Sequence, residues 1–248
     1  YILRTFKYFM TKKALNQNAK YVQDLIDAVE PNFVFTNKPI NRLKVINNDE
    51  NFSQKDKVEQ LSKIKEQINS IENCRLKDNS KNLILGDGNI NSPIMLIAEA
   101  PGEKEDISGR TFQGDVGLLL KKMLLAINIE MEKVYLTYSI NFRPPDDRKP
   151  TSQEIKRYSV FLKEHISIIN PKILILLGST AMEAVANLSS KVSDVRGKWK
   201  EIIIKNSTIP YMITFSPSYL IRFPDNKKHS WEDLKKIRKK IQDLKIDI

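Results

Sequence analysis

From about residue 80 onward, short apolar runs alternate with longer stretches of helical periodicity, and few folds satisfy that alternation. The runs at 94–98, 133–138, 172–177, 201–204 and 211–215 read as strands, and 115–128, 151–168, 179–187 and 230–245 read as helices. Strands separated by helices lie parallel and carry the helices on their two faces, so the expectation is an α/β fold with a mostly parallel sheet. Ahead of it, Tyr21, Leu25, Ile26 and Val29 recur at helical spacing within residues 1–30, and Pro31 marks the end. Residues 31–54, broken by Pro31, Pro39 and NNDENFS, read as a polar loop. Lys55 to Glu72 is helical again, with Val58, Leu61, Ile64, Ile68 and Ile71 as its apolar stripe. The expected organisation is an N-terminal helical extension and linker over 1–75, then an α/β domain over 76–248.

Within that domain, residues 96–117 (LIAEAPGEKEDISGRTFQGDVG) hold the densest chemistry. Ile94 to Ile97 is a run suited to a buried parallel strand, and Pro101-Gly102 stops it abruptly. Glu99 and Ala100 therefore stand at the carboxyl end of a strand, the edge where open α/β sheets bind ligands. A carboxylate there is a candidate general base or water-positioning group, although Glu99 by itself also reads as a solvated strand end. Gly109, Phe112, Gly114 and Gly117 place one aromatic ring in flexible backbone, as a pocket wall requires; Phe112 alone reads equally as core.

The other strand ends carry complementary groups. KVYLTY runs into SINFRPPDDRKP, a stiff loop with Arg143 and Arg148. The strand at 172–177 ends at Gly178-Ser179, a small turn suited to close approach of a phosphate, and Arg196-Gly197 is similar. The strand at 211–215 leads into SPSYLIRFP, which puts hydroxyls, an aromatic, aliphatics and Arg222 on one loop. A carboxylate, basic loops and a small-polar-then-apolar loop at one sheet edge favour a nucleic-acid site.

Charge agrees with this. Lys and Arg outnumber Asp and Glu by 41 to 30, a formal net charge of +11, which suggests a polyanionic partner. Part of the excess sits in Lys235, Lys236, Arg238, Lys239 and Lys240, which also read as the wet face of a terminal helix. No run of about 18 apolar residues is present, so no membrane partner is expected. The first residues lack a sustained apolar segment and a small-residue cleavage site, and Cys74 is the one cysteine; both fit a cytoplasmic, reducing location and a monomer. One cysteine with His165 and His229 makes a structural metal site an unfavoured reading.

NLILGDGN, AEAPGEKEDISGRTFQG, VYLTYSINFRPPDDRKP, ILILLGSTA, VRGKW and TFSPSYLIR, in that order, resemble the motifs of the type 4 uracil-DNA glycosylases over roughly residues 70–240. The resemblance implies a three-layer α/β/α sandwich that flips uracil out of DNA and hydrolyses its N-glycosidic bond in base-excision repair. It implies that Glu99 orients or activates water and that amides near Ala100 and Gly102 help hold the departing base. Phe112 would stack on that base. Ser216 to Arg222, with Ser218 among its DNA-binding residues, would enter the minor groove, Tyr219, Leu220 and Ile221 filling the gap and Arg222 on phosphate. Arg143, Arg148, Gly178, Ser179 and Arg196 would complete the DNA contacts.

Three departures qualify it. Family members ligate a [4Fe–4S] cluster through four cysteines, whereas this chain keeps Cys74 and has Ile71, Phe142 and Tyr158 at the other positions, so no cofactor is expected. Tyr138 stands where the family has the asparagine that reads the uracil edge, and a phenol neither reproduces its hydrogen-bond pair nor matches its size. Ser216 replaces the catalytic histidine. Two readings stay open: a glycosylase of weakened or altered base specificity, and a catalytically impaired or inactive DNA-binding relative.

Overall fold

The structure, a computed structural model, describes residues 54–248; the helix expected over residues 1–30 and the polar loop after it lie outside the described residues. Helix α1 (Gln54–Asn69) buries Leu61, Ile64 and Ile68, while Val58, read as part of the same stripe, is 55% exposed. A short α2 (Arg75–Asn79) follows. The sheet has six strands: β1 (Gly86–Gly88), β2 (Ile94–Ala98), β3 (Tyr135–Tyr138), β4 (Ile173–Leu177), β5 (Trp199–Ile204) and β6 (Ser207–Thr214). Their spatial order is β1-β3-β2-β4-β6-β5, with the four central strands parallel and the two edge strands antiparallel.

The period of two along each strand divides the core in two. Met95, Ile97, Leu174, Leu176 and Ile213 face one way, against α1, α5 (Ser152–Ile169) and α6 (Ser179–Ala186). Ile94, Leu96, Ala98, Ile173, Ile175 and Met212 face the other way, against α4 (Gly114–Leu125) and the C-terminal helix Lys227–Asp243. The result is a three-layer α/β/α sandwich with a mostly parallel centre. Leu61, Ile64 and Ile68 belong to the first of these cores, so α1 packs into the α/β layer structure.

Two features depart from the sequence reading. The strands expected at 201–204 and 211–215 form one antiparallel hairpin, turning at Lys205 (φ 51°) and Asn206. Pro210 hid the first half of β6. It is tolerated because pairing with β4 begins at Tyr211, so its missing N–H removes no bond from the sheet centre. The segment SPSYLIR, read as a loop, is a short helix (Pro217–Arg222) with Ser216 as its N-cap and Pro217 at its first position.

Register aligns the strand ends. Ala98 pairs with Tyr138 and Leu177 with Thr214, so Glu99, Ser139, Gly178 and Phe215 all leave the sheet at one edge. Two backbone bonds tie the exits together: Ser139 N–H donates to the Ala98 carbonyl (2.8 Å) and Gly178 N–H to the Thr214 carbonyl (2.9 Å).

Candidate nucleic-acid site at the strand ends

A cleft of about 390 Å³ opens at this edge, lined by Glu99, Phe112, Tyr138 and Ser216 with Ala98 to Gly102, Pro144, Arg148, Ser218, Ile221 and Arg222 among its walls. Residues from four separate parts of the chain thus meet where the sequence reading expected them.

Glu99 is half-buried, and its Oε2 accepts a hydrogen bond from the Thr180 hydroxyl at 2.7 Å. Thr180 is fully buried at the start of α6. A rigid helix therefore fixes the carboxylate, and among the described residues Oε1 accepts no protein hydrogen bond. Gly178, in the left-handed region at φ 95°, brings α6 close to the neighbouring loop: a Cβ there would lie 3.4 Å from the Ser216 Cβ.

Tyr138 and Phe112 form the apolar wall. Their rings stack with centroids 5.2 Å apart and planes inclined by 24°, and the Tyr138 hydroxyl accepts the Phe112 N–H at 2.8 Å. Burial, and secondarily the nearby Glu105 carboxylate, push the Tyr138 phenol well above its ordinary pKa, so it is neutral. Phe112 has a left-handed backbone (φ 50°), which Gly117 allows: a Cβ at 117 would lie 1.8 Å from the Phe112 carbonyl oxygen.

Glu105, in the short helix α3 (Glu103–Ser108), orders the loop between. Its carboxylate accepts the Gly102 N–H at 3.0 Å and the Gln113 N–H at 2.7 Å. The Gly102 amide, expected to help hold a departing base, is thus already bound within the protein. The Pro-Gly-x-x-Glu spacing, with a carboxylate three residues after a helix N-cap, was the signal that could have found Glu105. Thr180 had a weaker signal, a hydroxyl two residues beyond a strand-end glycine.

The segment after β6 differs from its expected form. The Ser216 hydroxyl accepts the Tyr219 N–H at 3.3 Å and lies 3.1 Å from the Ser218 hydroxyl. Tyr219 is sandwiched between Phe215 and Phe223, at 4.8 Å from each. Leu220 is 1% exposed and belongs to the core against α4 and the C-terminal helix, so it does not stand free to fill the gap of a flipped base. Ile221, at 41% exposure, lines the cleft and is the aliphatic side chain that faces solvent there.

The arginines divide. Arg148 lines the cleft and makes a bidentate pair with Glu154 (2.7 and 2.9 Å), which holds the Glu154 carboxyl down at about 2. Arg143 pairs with Asp147 at 2.7 Å. Arg222 is exposed, lines the cleft, and makes no ion pair among the described residues. Arg196 is not among the cleft residues: its guanidinium binds the fully buried Asp233 through two bonds (2.7 and 2.9 Å) and stacks over Phe215. Asp233 also accepts the Thr214 hydroxyl at 2.7 Å, so this is an internal brace rather than a free cation. The Ser179 hydroxyl accepts a bond from Lys149 at 3.1 Å.

The four positions that the resemblance associates with an iron–sulfur cluster come together in the core under α1 and α5. Cys74 and Phe142 pack with Tyr158, whose hydroxyl is 3.3 Å from the Cys74 sulfur and whose ring meets Phe142 edge-on, and Ile71 packs on the same cluster. One thiol among a phenol, a phenyl and an isoleucine does not fit a four-thiolate cluster.

The uracil DNA glycosylase superfamily profile matches residues 85–235. The chain is 35% identical to a type-4 uracil-DNA glycosylase of Thermotoga maritima over 178 residues, covering 71% of this chain and 91% of that protein. It is 37% identical over 190 residues to a type-4 enzyme of Sulfurisphaera tokodaii (73% and 84% covered), and 31% identical over 184 residues to one of Archaeoglobus fulgidus (73% and 92% covered).

Proposed function

This chain belongs to the uracil-DNA glycosylase superfamily, and we propose that it binds DNA across the strand-end cleft and directs water at the N-glycosidic bond of uracil or another damaged base in base-excision repair. The observation that carries this reading is the convergence of Glu99, Phe112 and Ser216 on one cleft that also has Arg148 and Arg222 in its walls. Thr180 holds one Glu99 oxygen and leaves the other to orient a water as the sugar gains oxocarbenium character. The Ser216 and Ser218 hydroxyls are the neutral donors available to the leaving base.

Excision of uracil itself is slow in this reading. A base that takes the place of Tyr138 on the Phe112 ring breaks a hydrogen bond and an aromatic stack, each worth about 1 kcal/mol. The protein works without an iron–sulfur cluster, as a cytoplasmic monomer. A second reading, a DNA-binding relative without catalysis, draws on two observations: Glu105 occupies the Gly102 amide, and Ser216 caps its own helix.

Both readings require DNA binding that weakens steeply with salt, because arginine contacts to phosphate release counterions. Titration of a labelled duplex at increasing salt tests this. Arg222→Ala is expected to reduce the salt slope by about 1. Binding that ignores salt, or none to any duplex or single strand, removes both.

A further inference from the structure

The cleft has one aromatic platform against which a base could stack, and another side chain of the same protein lies on it. Among the described residues, Phe112 and Tyr138 are the two rings in the cleft walls; they stack on each other, and each is at least 95% buried. Neither is loosely placed. The Tyr138 hydroxyl holds the Phe112 amide, Glu105 holds the next amide, and Gly117 lets the following helix close on the Phe112 carbonyl. The space that remains is bordered by groups suited to a sugar and its phosphates: the Glu99 carboxylate, the Ser216 and Ser218 hydroxyls, and the Arg148 and Arg222 guanidinium groups.

We propose that the preferred ligand of this cleft is an abasic nucleotide in DNA, a deoxyribose phosphate that has lost its base, with the Tyr138 ring standing in the place of that base. The inference rests on the reading of the cleft as a DNA site and names the class of lesion it takes. An abasic sugar offers hydroxyl oxygens within the chemistry of Glu99 and the serines and phosphate oxygens for Arg222, which makes no ion pair among the described residues, and it brings no ring to compete with Tyr138. It also leaves the duplex at the least cost, since it has no pairing and no stacking of its own to lose.

The test compares the affinity of the full chain for three duplexes: one with a tetrahydrofuran abasic analogue, one with a fluorinated deoxyuridine whose glycosidic bond resists hydrolysis, and one undamaged. The abasic duplex is expected to bind about tenfold tighter than either of the others. Tyr138→Ala opens the Phe112 face and brings the fluorinated-uridine duplex to within about threefold of the abasic one, whereas Tyr138→Phe, which keeps the ring, retains the preference. Equal, salt-sensitive binding of all three duplexes by the native protein overturns the abasic preference and leaves the DNA reading standing. An abasic preference that survives in a folded Tyr138→Ala overturns the role given to the ring. If Tyr138→Ala does not fold, the native protein and Tyr138→Phe decide. Absence of binding to any duplex overturns the DNA reading together with this one.

Discussion

The Tyr138 ring lies on the Phe112 ring at 5.2 Å and its hydroxyl accepts the Phe112 amide at 2.8 Å, so one residue both covers a face of the Phe112 ring and ties down its backbone. Replacing it should therefore change what the site accepts. Tyr138→Asn with Ser216→His, which installs an edge reader and a polar partner for the leaving base, is expected to raise uracil excision. Each substitution contributes on the order of 10² in rate, by comparison with the loss of one oxyanion-hole donor. The two gains combine less than multiplicatively because they act on one leaving group. Single-turnover excision assays on the folded single and double variants check this; no gain in a double variant that still binds DNA contradicts it.

Two arginines that look alike in sequence should behave in opposite ways. Arg196 neutralises the buried Asp233, whose carboxyl is pushed up by burial even against the pull of Thr214 and Arg196. Arg196→Ala removes the cation bonded to that carboxylate and leaves only the charge of the neighbouring Lys236, so it is expected to cost about 3 kcal/mol of stability. Arg222→Ala is expected to stay within about 0.5 kcal/mol of the native protein while weakening DNA binding. Urea melts of the two variants, read beside their DNA affinities, separate the roles.

Much of this was legible in the sequence, and the exceptions have physical causes. The central strands announced themselves because burial on both faces makes each a continuous apolar run, and their helices because one apolar stripe repeats every third or fourth residue. The cluster of Glu99, Tyr138 and Ser216 followed from parallel strands ending together. What escaped was set by tertiary context. Arg196 reads as a free cation beside a glycine, and its partner Asp233 lies 37 residues away on another element. Leu220 reads as an exposed wedge because the short helix that buries it has less than two turns of periodicity to show. Ser216-Pro217 did carry a helix-start signal, which the neighbouring hydroxyls and aromatics masked.

A titration dependence follows from His165. Its imidazole is buried, 2.8 Å from the Tyr135 hydroxyl, and burial lowers its pKa to about 3, from about 6.5 in an unfolded chain. Below about pH 6.5 the unfolded chain takes up a proton that the folded one refuses, so stability falls as pH drops from there toward 3. His165→Gln, which keeps a partner for Tyr135, is expected to flatten that fall. Denaturant melts at several pH values between neutral and 4 check it, and an unchanged slope in the variant contradicts it.

Purified protein is expected to be colourless and free of iron, since Cys74 alone offers a thiolate among Ile71, Phe142 and Tyr158. Metal analysis alongside visible spectra through purification checks this. An iron–sulfur chromophore that tracks the protein contradicts it.

If Glu99 directs hydrolysis from the strand-end cleft, single-turnover cleavage of a uracil-containing strand, developed with alkali, by the native protein and by Glu99→Ala will show it. Slow cleavage by the native protein is expected, with a fall of about 10² or more in the variant, the range that general-base catalysis supplies. Robust cleavage that Glu99→Ala leaves unchanged would contradict it, because the chemistry would then reside elsewhere on the protein.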